Sequence, residues 1–375
     1  MLPAMPGEES EHRVQHWPAF DGLRAFAVLA VMSFHVHYPT FLKGGYTGVD
    51  VFFVLSGFLI TSLLMSEHDR FAGINYTKFY ARRALRLFPA LAVVILVVLV
   101  LVLADSHLAN FRHATLTGLP FVVLYIGNWA SAFGTVLTLG LLSITWTLAI
   151  EEQFYLLWPL GLSALLRRMN RTRIAHILIG VAVLEMVGRL VLSYAGVSTE
   201  WLQYSTVTHS DGLLMGSALA LLWSSGGEWK AWPTLKKLST PIGIGAVAVL
   251  AVVLVFGDPK LHLAFFWIAL AVLATTALLI SLIAQPASPL NKLLSVRPLQ
   301  WIGKRSYGFY LWHFPILGVV FSLHLPVAHR HTTHFLLVFG ATFVIAGLSY
   351  RIIERPFLNR KTRFAMVNPD ASTVD

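Results

Sequence analysis

Phe20-Asp21-Gly22-Leu23-Arg24-Ala25-Phe26-Ala27-Val28-Leu29-Ala30-Val31-Met32-Ser33-Phe34-His35 is an apolar run interrupted by an acid, a guanidinium and an imidazole. In a helix each residue advances about 100°, so the step from Arg24 to His35 returns to within about 20° after three turns. The two side chains share one face, roughly 16 Å apart along the axis, with Asp21 about 40° from His35 on the same side. A polar stripe along a membrane helix is costly to build and marks function. It can link chemistry at one face of a bilayer to chemistry at the other.

Composition supports the membrane reading. The chain has 375 residues, 56% hydrophobic and 12% charged, with a mean hydropathy of +0.69. Soluble domains carry about 25% charged residues. The formal charge of +10 sits in short loops between apolar stretches, as membrane topology requires, so it does not argue for a nucleic-acid partner. There are no cysteines, which excludes disulfides, thiolate metal sites and a cysteinyl-thioester intermediate. Residues 1–17 are polar and partly acidic and lack the basic start and cleavage site of a signal peptide, so the first apolar run is expected to stay as a span.

At about 20 apolar residues per span, the candidates are 20–41, 48–66, 87–104, 144–166, 174–194, 207–224, 241–256, 263–284, 306–323 and 333–352. The stretch 115–138 is also apolar. Lys78, Arg82, Arg83 and Arg86 put one loop in the cytoplasm, and Arg167, Arg168, Arg171 and Arg173 put another there. A single net crossing must separate outward and inward passage between them, so 115–138 is expected to lie in the outer interface or re-enter. The expectation is an all-α, polytopic membrane helix bundle of about ten transmembrane helices plus that one interfacial or re-entrant segment. Both termini fall in the cytoplasm, with tails at 1–17 and 359–375 around a membrane domain at 18–358.

Four clusters can carry chemistry. The first is Asp21, Arg24 and His35: a neutral imidazole can accept a hydroxyl proton or hold a transferred group, and Asp21 lies one turn from Arg24 as a partner. The second is Arg83 and Arg86, three apart on one face, whose paired donors suit phosphates; the same charges also serve topology. The third is Glu151-Glu152, two acids in the outer part of a span that diverge by about 100°. Glu151 shares a face with Tyr155 and is the expected site residue, although acids at a helix start also favour its dipole. The fourth is Ser306, Tyr310 and His313 at i, i+4 and i+7, a polar stripe in an aromatic span that could equally be interhelical hydrogen bonding. Glu185 and Arg189, four apart, read as a self-paired structural couple. His209-Ser210-Asp211-Gly212 and the small-residue stretch from Gly44 to Gly57 are ambiguous between packing and site. No metal signature stands out, and His324, His329, His331 and His334 read as a wet outer loop.

Taken in order, these segments resemble the acyltransferase 3 family of membrane O-acyltransferases. The resemblance rests on Phe20 to Ala25 with His35, Gly48 to Ile60, Phe79 to Arg86, Trp146 to Tyr155, Ser306 to His313 and Ile353-Glu354-Arg355-Pro356. It implies an inner-membrane enzyme that moves an acyl group, usually acetyl, from cytoplasmic acyl-CoA to a hydroxyl of an extracytoplasmic glycan or glycoconjugate. Some relatives acylate small molecules such as macrolides. The family's Arg-x10-His motif falls on Arg24 and His35, its Arg-x-x-Arg motif on Arg83 and Arg86, and its acid on Glu151. Thr147 stands where members often have Ser, and His209 where they often have Arg. Acetyl-CoA is then a donor substrate rather than a resident cofactor. The expected roles are His35, Glu151 and Asp21 in catalysis and Arg24, Arg83, Arg86, Ser306, Tyr310 and His313 in substrate binding, with no metal. A proton-coupled transporter using the same intramembrane residues is the alternative.

Overall fold

A computed structural model describes residues 17–134, 136–225, 233–323 and 330–360. The tails, apart from Trp17 and 359–360, lie outside these residues, as do Lys230 and the loop histidines His324 and His329. The described residues are helical with no strand among them.

The chain opens with α1 (Pro18–Val36), whose Pro18 begins the first turn and whose Asp21 favours the helix dipole there. It ends five residues before the sequence expectation, because His37 takes a left-handed conformation (φ 58°) and its N–H returns to the Phe34 carbonyl. Then come α2 (Gly48–Phe71) and α3 (Tyr76–Ala104). Hydropathy finds only the apolar part of α3; the helix starts eleven residues before 87, capped by the Asn75 side chain on Lys78 N–H, and carries Arg82, Arg83 and Arg86.

The stretch 115–138 is not one continuous span. It is divided between α4 (Ala109–Val123), α5 (Gly127–Phe133) and a 3-10 segment over Val136–Leu142. Tyr125 turns the chain between α4 and α5 with φ 53°, and the Thr115 hydroxyl accepts from Leu141 N–H at 3.2 Å, tying the returning segment onto α4.

The remaining helices are α6 (Thr145–Leu166), α7 (Arg171–Tyr194), α8 (Thr199–Tyr204), α9 (Asp211–Ser224), α10 (Pro233–Phe256), α11 (Leu261–Ala284), α12 (Pro289–Leu294), α13 (Arg297–Lys304), α14 (Ser306–Ser322), α15 (Arg330–Ser349) and α16 (Arg355–Arg360). A π-turn over Tyr350–Glu354 joins the last two. Every one of the ten expected spans coincides with a helix. Among the described residues, seven helices are long and apolar enough to cross a membrane. The other three are α6, α14 and the shorter α9.

The bundle has an inner and an outer ring. The apolar windows of α1 and α2 are 67% and 72% buried, whereas those of α3, α7, α10 and α15 are 22–33% buried. Small residues let the inner helices touch backbone to backbone. Gly216 of α9 faces the Val54 carbonyl of α2 and Gly57 of α2 faces the Leu213 carbonyl of α9, with no room for a Cβ at either. That is the close approach by which helices associate in lipid, where apolar burial no longer discriminates.

Candidate active site

Five helices converge on a cavity of about 290 Å³: Arg24 from α1, Ser56 from α2, Arg83 and Arg86 from α3, Glu151 and Tyr155 from α6, and Ser306 and Tyr310 from α14 all line it. The cavity therefore gathers most of the residues singled out in the sequence. Three of them, His35, His313 and Asp21, do not line it.

One end is cationic. Arg24 sits 3.7 Å from the Asp21 carboxylate, the one-turn partner expected from the sequence. Arg82 is held by Glu67 at 3.2 Å, and Glu67 also accepts the Asn75 N–H at 2.5 Å, so this pair ties α2 to the start of α3. Arg83 and Arg86 make no ion pair among the described residues. The Arg83 guanidinium lies 4.6 Å from the Tyr155 ring centroid, a contact that orients it while leaving its N–H edge free. Unpaired guanidinium groups in a half-buried cavity are poised for an anion with paired oxygens.

Glu151 and Glu152 separate as their angular offset requires: Glu151 lines the cavity and accepts from the Ser56 hydroxyl at 2.6 Å, whereas Glu152 is not on its wall. Gln153 is structural. Its amide donates to the Tyr125 carbonyl and Asn128 at 2.8 Å each, and its oxygen accepts from Thr206 at 2.6 Å.

Thr147 and Tyr310 also stand on the cavity wall, their hydroxyls 2.8 Å apart. The Tyr310 hydroxyl also reaches the Ile144 carbonyl at 3.0 Å. Behind Tyr310 stand two imidazoles. His313 Nδ1 is 2.7 Å from the Tyr310 carbonyl, and its Nε2 is 3.2 Å from His35 Nδ1. His35 Nδ1 is in turn 3.0 Å from the Val31 carbonyl.

These contacts assign the tautomers. A carbonyl can only accept, so His313 carries its proton on Nδ1 and presents a lone pair at Nε2. That lone pair and the Val31 carbonyl both face His35 Nδ1, which must be the protonated nitrogen. His35 Nε2 is left as the basic atom. His313 is fully buried and His35 half-buried. In this arrangement His313 contacts His35 and Tyr310 stands on the cavity wall, so His313 is placed to orient the His35 ring.

A second polar cluster lies apart from the cavity and corrects one sequence expectation. Glu185 and Arg189 do not pair with each other. Arg189 bonds Asp211 of α9 at 2.9 Å, with neither side chain exposed, and Glu185 accepts from the Ser210 hydroxyl and N–H at 2.9 and 3.1 Å. The reason is burial: an i,i+4 pair would leave Asp211 charged and alone inside the bundle, a far larger cost than crossing between helices. His209 bonds Asp50 at 2.9 Å and the Gln203 carbonyl at 2.6 Å, joining the start of α2 to the loop before α9. Ser56 was missed as a site residue because it lay within a stretch read as small-residue packing. Tyr307, also on the cavity wall, donates to the Leu87 carbonyl at 2.8 Å and carries no sequence signal beyond its neighbours.

A bundle that sets unpaired arginines and a half-buried acid around one cavity, with a pair of hydrogen-bonded imidazoles behind its Tyr310 wall, has the makings of a membrane group-transfer site. The acyltransferase 3 family (acyltransferase domain) matches residues 17–351, and the chain belongs to that family. It is 36% identical over 358 residues to the peptidoglycan O-acetyltransferase OatA of Listeria monocytogenes, a match covering 92% of this chain and 56% of the relative. It is 34% identical over 366 residues to the O-acetyltransferase OatA of Staphylococcus aureus, covering 93% of this chain and 58% of the relative. The chain thus spans a little over half the length of these curated relatives. No solved structure matches it.

Proposed function

We propose that this membrane acyltransferase moves an acetyl group from acetyl-CoA, entering at the arginine-lined end of the cavity, to a hydroxyl of a glycan on the opposite face of the membrane. The observation that carries this reading is the order of groups along one path: free Arg83 and Arg86 at the mouth, Glu151 midway, Tyr310 at the end and the His313–His35 pair behind it. The glycan class is taken from the Listeria monocytogenes relative, which is named as a peptidoglycan O-acetyltransferase. The clustering of basic residues in short loops supports a cytoplasmic donor end and cytoplasmic termini for a protein held in the inner membrane.

Arg83 and Arg86 hold the coenzyme phosphates outside the narrow part, and the pantetheine arm threads between α1, α2 and α14. A cavity of about 290 Å³ is at the small end for ligand pockets, which suits a thin arm rather than the whole nucleotide. Arg24, restrained by Asp21, and Glu151, restrained by Ser56, flank the arm. The Thr147–Tyr310 pair separates the cavity from His35 and must part for the thioester to reach the imidazole. His35 Nε2 then takes the acceptor hydroxyl proton as its oxygen bonds the thioester carbonyl carbon; the carbon–sulfur bond breaks and the thiolate takes the proton. A covalent acetyl-imidazole carrier uses the same atom.

The test is acetyl transfer by the purified chain with labelled acetyl-CoA and a peptidoglycan-derived acceptor. His35→Ala is expected to lose transfer while keeping its thermal unfolding profile. Undiminished transfer by that variant, or an untouched thioester with the wild type, rejects the reading; the latter is what a transporter would give.

A further inference from the structure

We propose that a groove at the basic end of the bundle, outside the transfer cavity, is a binding site for an anionic phospholipid. The groove encloses about 460 Å³ between the α13–α14 junction and the end of α15. Its deeper wall is Val344 and Leu348, 61% and 52% exposed on the outer surface of a membrane helix. Its rim is Arg305, Arg351 and Arg355. Val344 and Arg351 are two turns apart on α15 and its π-turn, roughly 10 Å along the axis. Apolar wall and guanidinium rim are therefore spaced as the upper acyl chains and the phosphate of one lipid are.

The rim is built rather than merely charged. The Arg305 guanidinium is clamped between two rings, 4.3 Å from the Trp301 centroid and 4.4 Å from that of Tyr350. One of its terminal nitrogens donates to the Trp301 carbonyl at 2.9 Å. Its Nε is buried with no hydrogen-bond partner among the described residues. No carboxylate pairs with Arg305, Arg351 or Arg355 among the described residues. Arg351 and Arg355 are four apart and both exposed, so they share a face across the groove mouth. Three guanidinium groups that form no direct ion pair among the described residues, one of them fixed by stacking and facing only the buried Glu354 at longer range, select a negative headgroup over a zwitterionic one. Trp301 lies at the same level, where indole rings favour the bilayer interface. The lower wall is continuous with the lipid-facing surface of α15, which a soluble phosphate ester would not use.

The site is independent of the transfer reaction and is tested by binding. The full chain in detergent is titrated with phosphatidylglycerol, with phosphatidylcholine and with inorganic phosphate, and bound lipid is counted by native mass spectrometry. Phosphatidylglycerol is expected to bind roughly tenfold or more tightly than phosphatidylcholine, and millimolar inorganic phosphate to leave it in place. Arg351→Glu/Arg355→Glu, at exposed positions that leave the Arg305 stack intact, is expected to abolish the preference. Arg167→Glu/Arg168→Glu, in another basic loop, is expected to preserve it, with the unfolding temperature of both variants confirming the fold. Equal binding of the two lipids overturns the proposal, as does displacement by inorganic phosphate. An equal loss of preference in the two double variants overturns it too, because it would mean general basic attraction rather than a site.

Discussion

If acetyl transfer runs through His35 as proposed, removing the His313 imidazole should slow it far less than removing that of His35, and the size of the difference follows from the hydrogen bonds. His35 Nδ1–H has two acceptors, the Val31 carbonyl at 3.0 Å and His313 Nε2 at 3.2 Å. In His313→Ala one acceptor remains, so the protonated nitrogen stays satisfied and the tautomer that leaves Nε2 basic is still favoured. The loss is one neutral hydrogen bond, about 0.5–1.5 kcal/mol, which is roughly a two- to tenfold fall in kcat. Losing the general base itself should cost about 10²–10⁴-fold. In His313→Gln the side-chain oxygen can accept from His35 and should restore part of the rate. The assay is steady-state transfer from labelled acetyl-CoA by wild type, His35→Ala, His313→Ala and His313→Gln, with thermal unfolding to verify each fold. A His313→Ala variant as inactive as His35→Ala would show His313 acting directly on substrate and refute its role as an orienting partner. A His313→Ala variant indistinguishable from wild type would refute that role equally.

Three further outcomes are expected. Arg83→Ala/Arg86→Ala should raise KM for acetyl-CoA by about 10- to 100-fold per lost charge-assisted contact at about 1.5–3 kcal/mol each, with a smaller change in kcat; an unchanged KM would remove the phosphate role. Tyr310→Phe deletes the hydroxyl that reaches Thr147 and Ile144, so hydrolysis of acetyl-CoA without acceptor should rise over wild type, measured as free thiol released; no rise would mean that Tyr310 does not close the cavity. Arg189→Met leaves Asp211 buried without its partner and should destabilise the chain by about 3–5 kcal/mol. Arg189→Met/Asp211→Leu should recover much of that loss; thermal unfolding in detergent compares the two, and equal damage would contradict the pairing.

The helices were legible in the sequence because membrane spans announce themselves locally, through runs of apolar residues and the placement of Lys and Arg. Hydropathy could not see that α3 continues through Arg82, Arg83 and Arg86, since a helix stays intact where its long cationic side chains reach the interface. The shared face of Arg24 and His35 follows from helical period alone, as does the Arg24–Asp21 contact. What joins helices was not legible. Ser56 meets Glu151 across 95 positions, Thr147 meets Tyr310 across 163 and His313 meets His35 across 278; no periodic pattern encodes such pairs. Glu185 and Arg189 show the converse hazard. Their spacing suits a local pair, yet the bundle needs Arg189 for Asp211.

The central claim is that acetyl leaves coenzyme A and reaches an acceptor hydroxyl through His35. The most direct measurement is made in sealed vesicles containing the purified chain, with labelled acetyl-CoA supplied only on the side of the Arg83–Arg86 end and a peptidoglycan-derived acceptor only on the other. Labelled acetyl ester on the acceptor with wild type, and none above background with His35→Ala, is the predicted result. Labelled ester formed equally by both proteins, or by neither, would contradict the account.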